Sequence, residues 1–442
     1  MRYLTLLFPF LLMAQEIVLV DKISREPLAN AAFIQEYKIT RSDTKGRVSF
    51  DANLSKTVHI KAYGYRPYRW DVNSTAKGLE IEAIKIKGLY LSFWGASPKT
   101  ETFKNTMELI ESSEINTLVI DVKSEQGQMS YHTSVQEASA MDAHYYRTIK
   151  DIDSYMKKLK AKHVYTIARI VCFKDELSAS THPERAVREA NGSVWRNDSK
   201  MAWVDPFNEK AQDYIIDIAV DAAQNGFDEI NFDYVRFPAK TDLLFSQVNI
   251  QENRVKAIDH FIEKASYRLR PYGTFLSVDT YGYVAWNSES DTNIGHRTAK
   301  LAKYADYLAP MLYPSGFNKG ILGIDDPTKE PYRIIKATLL KMEESVEPVR
   351  LHPWLQYFKD YAFSGQHYNA CEVREQVRAS DDTNCSGWLL WNPSSRYDRG
   401  GLINSETDLI LESEETGDSA LSVPGPAADG PVPVLRPAPG LR

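Results

Sequence analysis

Asp233 stands in the stretch FDEINFDYVRFP (residues 227–238), where an apolar strand pattern carries four charges: Asp228, Glu229, Asp233 and Arg236. A second acidic residue, Asp279, interrupts the apolar and aromatic run FLSVDTYGY (275–283). A third group, Asp121, Lys123 and Glu125, alternates along IDVKSEQG (120–127). Carboxyl groups that converge repel and desolvate one another, so one keeps a proton near neutral pH while another stays ionised. Those two states are what hydrolysis of a glycosidic bond uses: an acid for the leaving oxygen and a carboxylate opposite it. Asp233, Asp279 and Glu125 are therefore the candidate catalytic carboxyl groups.

The groups expected around them suit a sugar. Tyr281, Tyr313, Trp354 and Trp391 offer ring faces, and Gln356 and Asn392 offer amides for hydroxyls. Asp121, Lys123, Arg169, Asp175 and Arg236 complete the candidate substrate-binding set. Each has a plainer use. A single Asp at a strand end commonly caps a helix, and tryptophans fill cores. Asp228 and Glu229 precede the apolar part of their strand and read as structural. Spaced two apart, Asp121, Lys123 and Glu125 point the same way if their strand stays extended. Lys123 is then either ion-paired with them or, in a lyase or aldolase, a Schiff-base amine. Histidine is not interleaved with the acids, so no metal or cofactor is expected beyond an open question of calcium in a loop.

To bring such residues together, the chain needs elements that end at one place. Eight apolar runs begin at residues 88, 117, 165, 229, 275, 306, 351 and 387. A stretch of helical period lies in each gap: 102–113, 149–162, 208–226, 253–269, 295–305, 332–345 and 371–380. Strands that read as continuous apolar runs and alternate with helices predict a parallel sheet. Eight such units predict an α/β fold, a (β/α)8 TIM barrel, with its active site at the C-terminal strand ends. A doubly wound open sheet is the alternative, but FWGASPKTET after the first strand is not a G-x-G-x-x-G phosphate loop.

Outside the barrel the texture changes. Residues 15–87 are short alternating strands punctuated by Pro27, Asn30, Asp43, Gly46, Asn53 and Gly64, which predicts a small all-β domain. Residues 1–14 follow one Arg with a short apolar run, the pattern of a signal peptide for periplasmic or secreted proteins. From 414 to 442 the chain is rich in Pro, Gly and Ala and is expected to be disordered. A net charge of −6 and the lack of a long basic run argue against nucleic acid as the main partner. Three cysteines give no disulfide framework or zinc spacing. Pairing of Cys371 with Cys385 is left open.

The runs GLYLSFWGA, NTLVIDVKSEQG, IARIVCFKD, WVDPFN, GFDEINFDYVRFP, DTYGY, APMLYPSGF and WLQYF occur in this order. Together they resemble a bacterial family of glycoside-hydrolase-like TIM barrels of unknown specificity, distantly similar to amylase-type barrels. The resemblance spans roughly residues 88–400. The β domain, with VDKISREPLANAAF, SDTKGRVSF and VHIKAYGY, resembles the carboxypeptidase regulatory-like (transthyretin-like) β-sandwich, usually an accessory module. The barrel resemblance implies a polysaccharide or oligosaccharide partner, a nucleophile or base at Asp233 and a general acid at Asp279, with Glu125 in reserve for either role. Amylase-type barrels have Glu as the acid and an Arg two residues before the nucleophile; here those positions are Asp279 and Asn231. The same groove would serve a catalytically inactive carbohydrate-binding protein of the cell envelope.

Overall fold

The computed structural model of the chain describes residues 15–72, 76–240, 242–363 and 365–402. The expected signal peptide and the expected disordered tail lie outside the described residues. The chain divides into two units, one running to Ile84 and including Leu269–Thr274, the other beginning at Lys85.

The first unit has seven strands: β1 (Gln15–Asp21), β2 (Ala32–Gln35), β3 (Lys38–Arg41), β4 (Arg47–Phe50), β5 (Thr57–Lys61), β6 (Tyr68–Asp71) and β7 (Gly78–Ile81). They form two sheets, ordered β4-β1-β7 and β3-β2-β5-β6. Alternation along β4, β5 and β7 sends every second side chain inward. Ile17, Val48, Phe50 and Leu79 from one sheet meet Phe33, Ile60 and Trp70 from the other in a shared core. The Phe50 and Trp70 rings pack edge to face at 5.1 Å.

The second unit is a closed barrel of eight strands. These are β8 (Ile86–Leu91), β9 (Thr117–Lys123), β10 (Tyr165–Val171), β11 (Glu229–Asp233), β12 (Phe275–Tyr281), β13 (Tyr307–Met311), β14 (Trp354–Gln356) and β15 (Gly387–Trp391). Neighbours pair in parallel all the way round, β15 closing onto β8. Every residue of β9, β10 and β11 is buried, because the lumen covers one face and helices the other. The helices are α1 (Glu101–Ser112), α2 (Gln136–Ala140), α3 (Ile152–Ala161), α4 (Glu176–Thr181), α5 (Glu209–Gln224), α6 (Gln251–Leu269), α7 (Thr298–Tyr304), α8 (Pro331–Glu343) and α9 (Ala370–Asp381). All seven expected helices are present; α2 and α4 are short additions in loops. Local residues set both ends of α5. Asn208 caps it by accepting from the Ala211 amide at 3.1 Å, and Gly226 leaves it at φ 87°.

Several strands stop earlier than their apolar runs. The fourth run continues apolar to Phe237, yet β11 ends at Asp233. Tyr234 turns the chain out of the strand at φ 49°, and the exit is then held by other elements: the Phe237 amide donates to the Ile294 carbonyl at 3.0 Å. At the opposite end of β11, Asp228 accepts from Thr166 and pairs with Lys160. Glu229 accepts from the Tyr165 hydroxyl at 3.0 Å. It also lies 3.1 Å from His352 Nε2, in an orientation that makes no hydrogen bond between those two atoms. Both acids are structural, at the base of the barrel. All three cysteines are free, so Cys371 and Cys385 do not pair. No helix among the described residues is long and apolar enough to cross a membrane.

Candidate active site

Register places the chemistry. Asp121, Arg169 and Asn231 face one another in successive pairs across β9, β10 and β11. Asp233 pairs with Val171, one inward-facing layer nearer the strand exits. Phe232 pairs with Val278, so Asp233 and Asp279 stand side by side at the next step of adjacent strands.

Arg169 is the hub. Its guanidinium pairs with Asp121 through Nη1 and with Asp233 through Nη2, and Nε donates to Asp233 Oδ2 at 3.1 Å. The second oxygen of each aspartate is held too. Asp121 Oδ2 accepts from the Tyr90 hydroxyl at 2.6 Å and the Phe93 amide at 3.2 Å. Asp233 Oδ1 accepts from the Tyr234 amide at 2.6 Å, which the left-handed turn at Tyr234 aims back at it. The guanidinium also lies 4.9 Å from the Trp391 ring. That ring stacks on Tyr90 at 3.9 Å. Burial pushes the Asp121 carboxyl up from its usual range, against the opposing pull of Arg169.

Asp279 is in another state. Burial first, and then the negative charge of Asp233, push its carboxyl well above the ordinary carboxylate range. Two donors moderate this: Asn231 Nδ2 and Trp354 Nε1, each 2.8 Å from Asp279 Oδ1. Both bonds go to Oδ1, which leaves Oδ2 to carry a proton. Trp354→Phe removes a donor that favours the ionised form. The alkaline limb of any activity that needs Asp279 protonated therefore moves to higher pH, a shift that a pH–rate profile of the variant reads directly.

Other expected site residues divide. Glu125 sits at the mouth, half-exposed, 3.9 Å from Lys174 Nζ. The burial of Tyr313, together with the charges of Asp279 and Asp233, pushes its hydroxyl well up, so it belongs to the same mouth. Arg236 lies against the rings of Tyr281, Tyr234 and Trp203 rather than against a carboxylate. Lys123 does not share the lumen with Asp121, contrary to the expectation from spacing. A bulge makes Asp121 pair with Arg169 but Lys123 with Ile170, the next residue of β10. Lys123 is thus turned to the outer face, where it pairs with Asp175 at 2.8 Å and donates to the Val171 carbonyl at 2.6 Å. Asp175 is that lysine's partner and the α4 cap, accepting from the Ser178 amide at 2.9 Å. Gln356 is fully buried and bonds Ser315 and the Phe358 carbonyl. Asn392 bonds the Tyr357 carbonyl and Ser394. These last four hold loops and strands together.

Sequence reasoning passed over Tyr90 and Asn231. Tyr90 lies on the inward period of β8, the only available signal, and that signal does not separate a core ring from a carboxylate donor. Among the described residues no cluster of His, Cys, Asp or Glu could hold a metal ion; Arg169 fills the space between Asp121 and Asp233.

Residues 88–397 match the sequence family described as "Putative glycosyl hydrolase domain". The chain belongs to that family. A hypothetical protein from Ruminiclostridium thermocellum ATCC 27405 is similar at 31% identity, over 43% of this chain and 96% of that one, with a TM-score of 0.39. The glycoside hydrolase domain of PgaB (BpsB) from Bordetella bronchiseptica is similar at 12% identity, over 71% of this chain and 94% of that one, with a TM-score of 0.50. The second likeness is one of fold. No curated protein matches the chain. In this member of the family the guanidinium beside Asp233 comes from β10, the third barrel strand, while the position two before Asp233 holds Asn231, which serves Asp279.

Proposed function

We propose that the barrel hydrolyses glycosidic bonds, with Asp279 as general acid and Asp233 as the carboxylate that acts as nucleophile or base. One observation carries this reading: of two adjacent buried acids, Asp233 is paired with the Arg169 guanidinium and Asp279 is held by the neutral donors Asn231 and Trp354. Asp233 is locked in an ion pair with Arg169, while burial and that neighbour's charge favour a proton on Asp279. A neutral and an ionised carboxyl at one barrel mouth are the pair that glycosidic cleavage requires. The experiment is a panel of polysaccharides incubated with the purified chain and with Asp279→Asn, scored by release of new reducing ends. Release by the wild type and not by the variant supports the assignment. Equal release by both removes Asp279 from the chemistry.

The substrate on this reading is a polymer at the cell envelope or outside the cell, reached after export directed by residues 1–14. Support for a polymer comes from a ring platform on the barrel's loops. Trp94 is 61% exposed, Tyr145 68% and Tyr146 50%. Trp94 and Tyr146 meet edge to face at 5.6 Å, and Tyr146 also lines a cavity of about 360 Å³ with Gln126, Gln128 and Glu176. The platform adjoins the carboxylates, because Phe93 beside Trp94 donates its amide to Asp121. Trp94→Ala with Tyr146→Ala is expected to raise KM for a long glycan about tenfold and leave cleavage of a disaccharide-length substrate nearly unchanged. We assign the N-terminal β unit an accessory role, as a carboxypeptidase regulatory-like sandwich.

A further inference from the structure

Four Lys or Arg side chains are buried among the described residues: Lys123, Arg169, Lys174 and Arg254. Three have a carboxylate in close contact. Lys123 has Asp175 at 2.8 Å, Arg254 has Asp291 at 2.6 Å, and Arg169 has two aspartates. Lys174 is the exception. Its Nζ has only the Glu125 carboxylate at 3.9 Å, beyond hydrogen-bond reach, on a side chain 45% exposed. A second cation crowds it. Lys174 Nζ lies 4.7 Å from the Tyr234 ring centre and Arg236 Cζ 5.1 Å from the same ring. Arg236 makes one side-chain hydrogen bond among the described residues, to the Phe237 carbonyl at 3.1 Å. A buried ammonium that lacks a close counter-ion and shares a ring with a second, partly exposed cation is costly. Burial of Lys174 holds its amine below the usual range; the charge of Arg236 adds to this and that of Glu125 opposes it. Tyr234 follows Asp233, and the Tyr281 ring against which Arg236 also lies is two residues after Asp279, so the cations stand at the exits of the two strands that carry the carboxylates.

We propose that Lys174 and Arg236 form a subsite for the carboxylate of an acidic sugar, so that the glycan cleaved at Asp233 and Asp279 bears a carboxyl group on its ring. The proposal rests on the hydrolase reading. Glu125 already presents a carboxylate to Lys174 from the mouth, and the half-exposed side chain can swing away when a substrate carboxylate takes its place. An ammonium and a planar guanidinium together match such a group. The carboxylate has two sources, a uronic acid or a lactyl ether of an amino sugar.

Calorimetric titration of the full chain, carrying Asp279→Asn to prevent turnover, tests this. The probes are trigalacturonate against its methyl ester, and N-acetylglucosaminyl-N-acetylmuramic acid against chitobiose. One acidic probe is expected to bind about tenfold or more tighter than its neutral partner, and the winning pair identifies the source. Lys174→Gln with Arg236→Gln lowers that ratio below about threefold, Lys174→Arg retains it, and Lys104→Gln, at an exposed site on α1 paired with Glu101, leaves it unchanged. A melting curve confirms that the double variant is folded. Neutral probes that bind as tightly as acidic ones overturn the subsite alone, as does a ratio that survives the double variant. Failure of all four probes to bind overturns the subsite. If the polysaccharide panel is also inert, the hydrolase reading falls with it.

Discussion

Asp233→Asn lowers kcat by about a thousandfold or more on whichever glycan the chain cleaves, with KM changed by no more than about threefold. The amide has nearly the shape of the carboxylate, and its oxygen can still accept from Arg169 or from the Tyr234 amide. What it loses is the charge. Without that charge there is no nucleophile or base, and Asp279 loses the neighbour that helps keep its proton. The residual activity of the variant therefore carries a second signature. Its alkaline limb falls at lower pH than in the wild type, because removing a like charge brings the Asp279 carboxyl back toward its ordinary range. Full activity in Asp233→Asn, or a limb displaced upward, defeats the assignment.

Arg169→Leu is expected to cost about 3–5 kcal/mol of stability, the range for breaking a buried ion pair from one side. On a unit of this size that is a fall in Tm of roughly 10 °C. The leucine fills part of the volume but leaves Asp121 and Asp233 buried without a counter-charge. The loss also depends on pH with a definite sign. Burial already raises the Asp121 carboxyl, and without Arg169 it rises further. A carboxyl whose folded value lies above its unfolded one favours the folded state as pH falls through that window. The deficit of the variant therefore shrinks in acid and is largest at neutral pH and above. Thermal melts of both chains from pH 4 to pH 8 show whether the gap closes; a constant gap means that Arg169 acts by packing alone.

The barrel was legible because its strands are long apolar runs and its helices carry the complementary period, and neither signal depends on distant contacts. Asp233 and Asp279 were legible for the same reason: a carboxylate inside an apolar run is conspicuous. Residues whose direction depends on a single backbone event were not. The spacing of Asp121 and Lys123 assumed an unbroken strand, and the register shift opposite Arg169 and Ile170 changed the face of the second. Asp175, Gln356 and Asn392 have types that suit a sugar, yet their partners lie on other segments that no local pattern announces. Arg169 was expected to touch substrate. The structure makes it the counter-ion of two aspartates, a role set by which strands are neighbours around the closed sheet.

That register shift in β9 also sets which charged side chains share the lumen. With Lys123 turned outward, the inner charges are Asp121 and Asp233 against one guanidinium, an excess of one negative charge beside Asp279. An unbroken strand would bring the ammonium inside and cancel that excess. Asp279 would then ionise more easily, with its burial alone left to oppose the charge. A single extra backbone residue, far less conspicuous than any charged side chain, thus sets the charge beside the proposed acid.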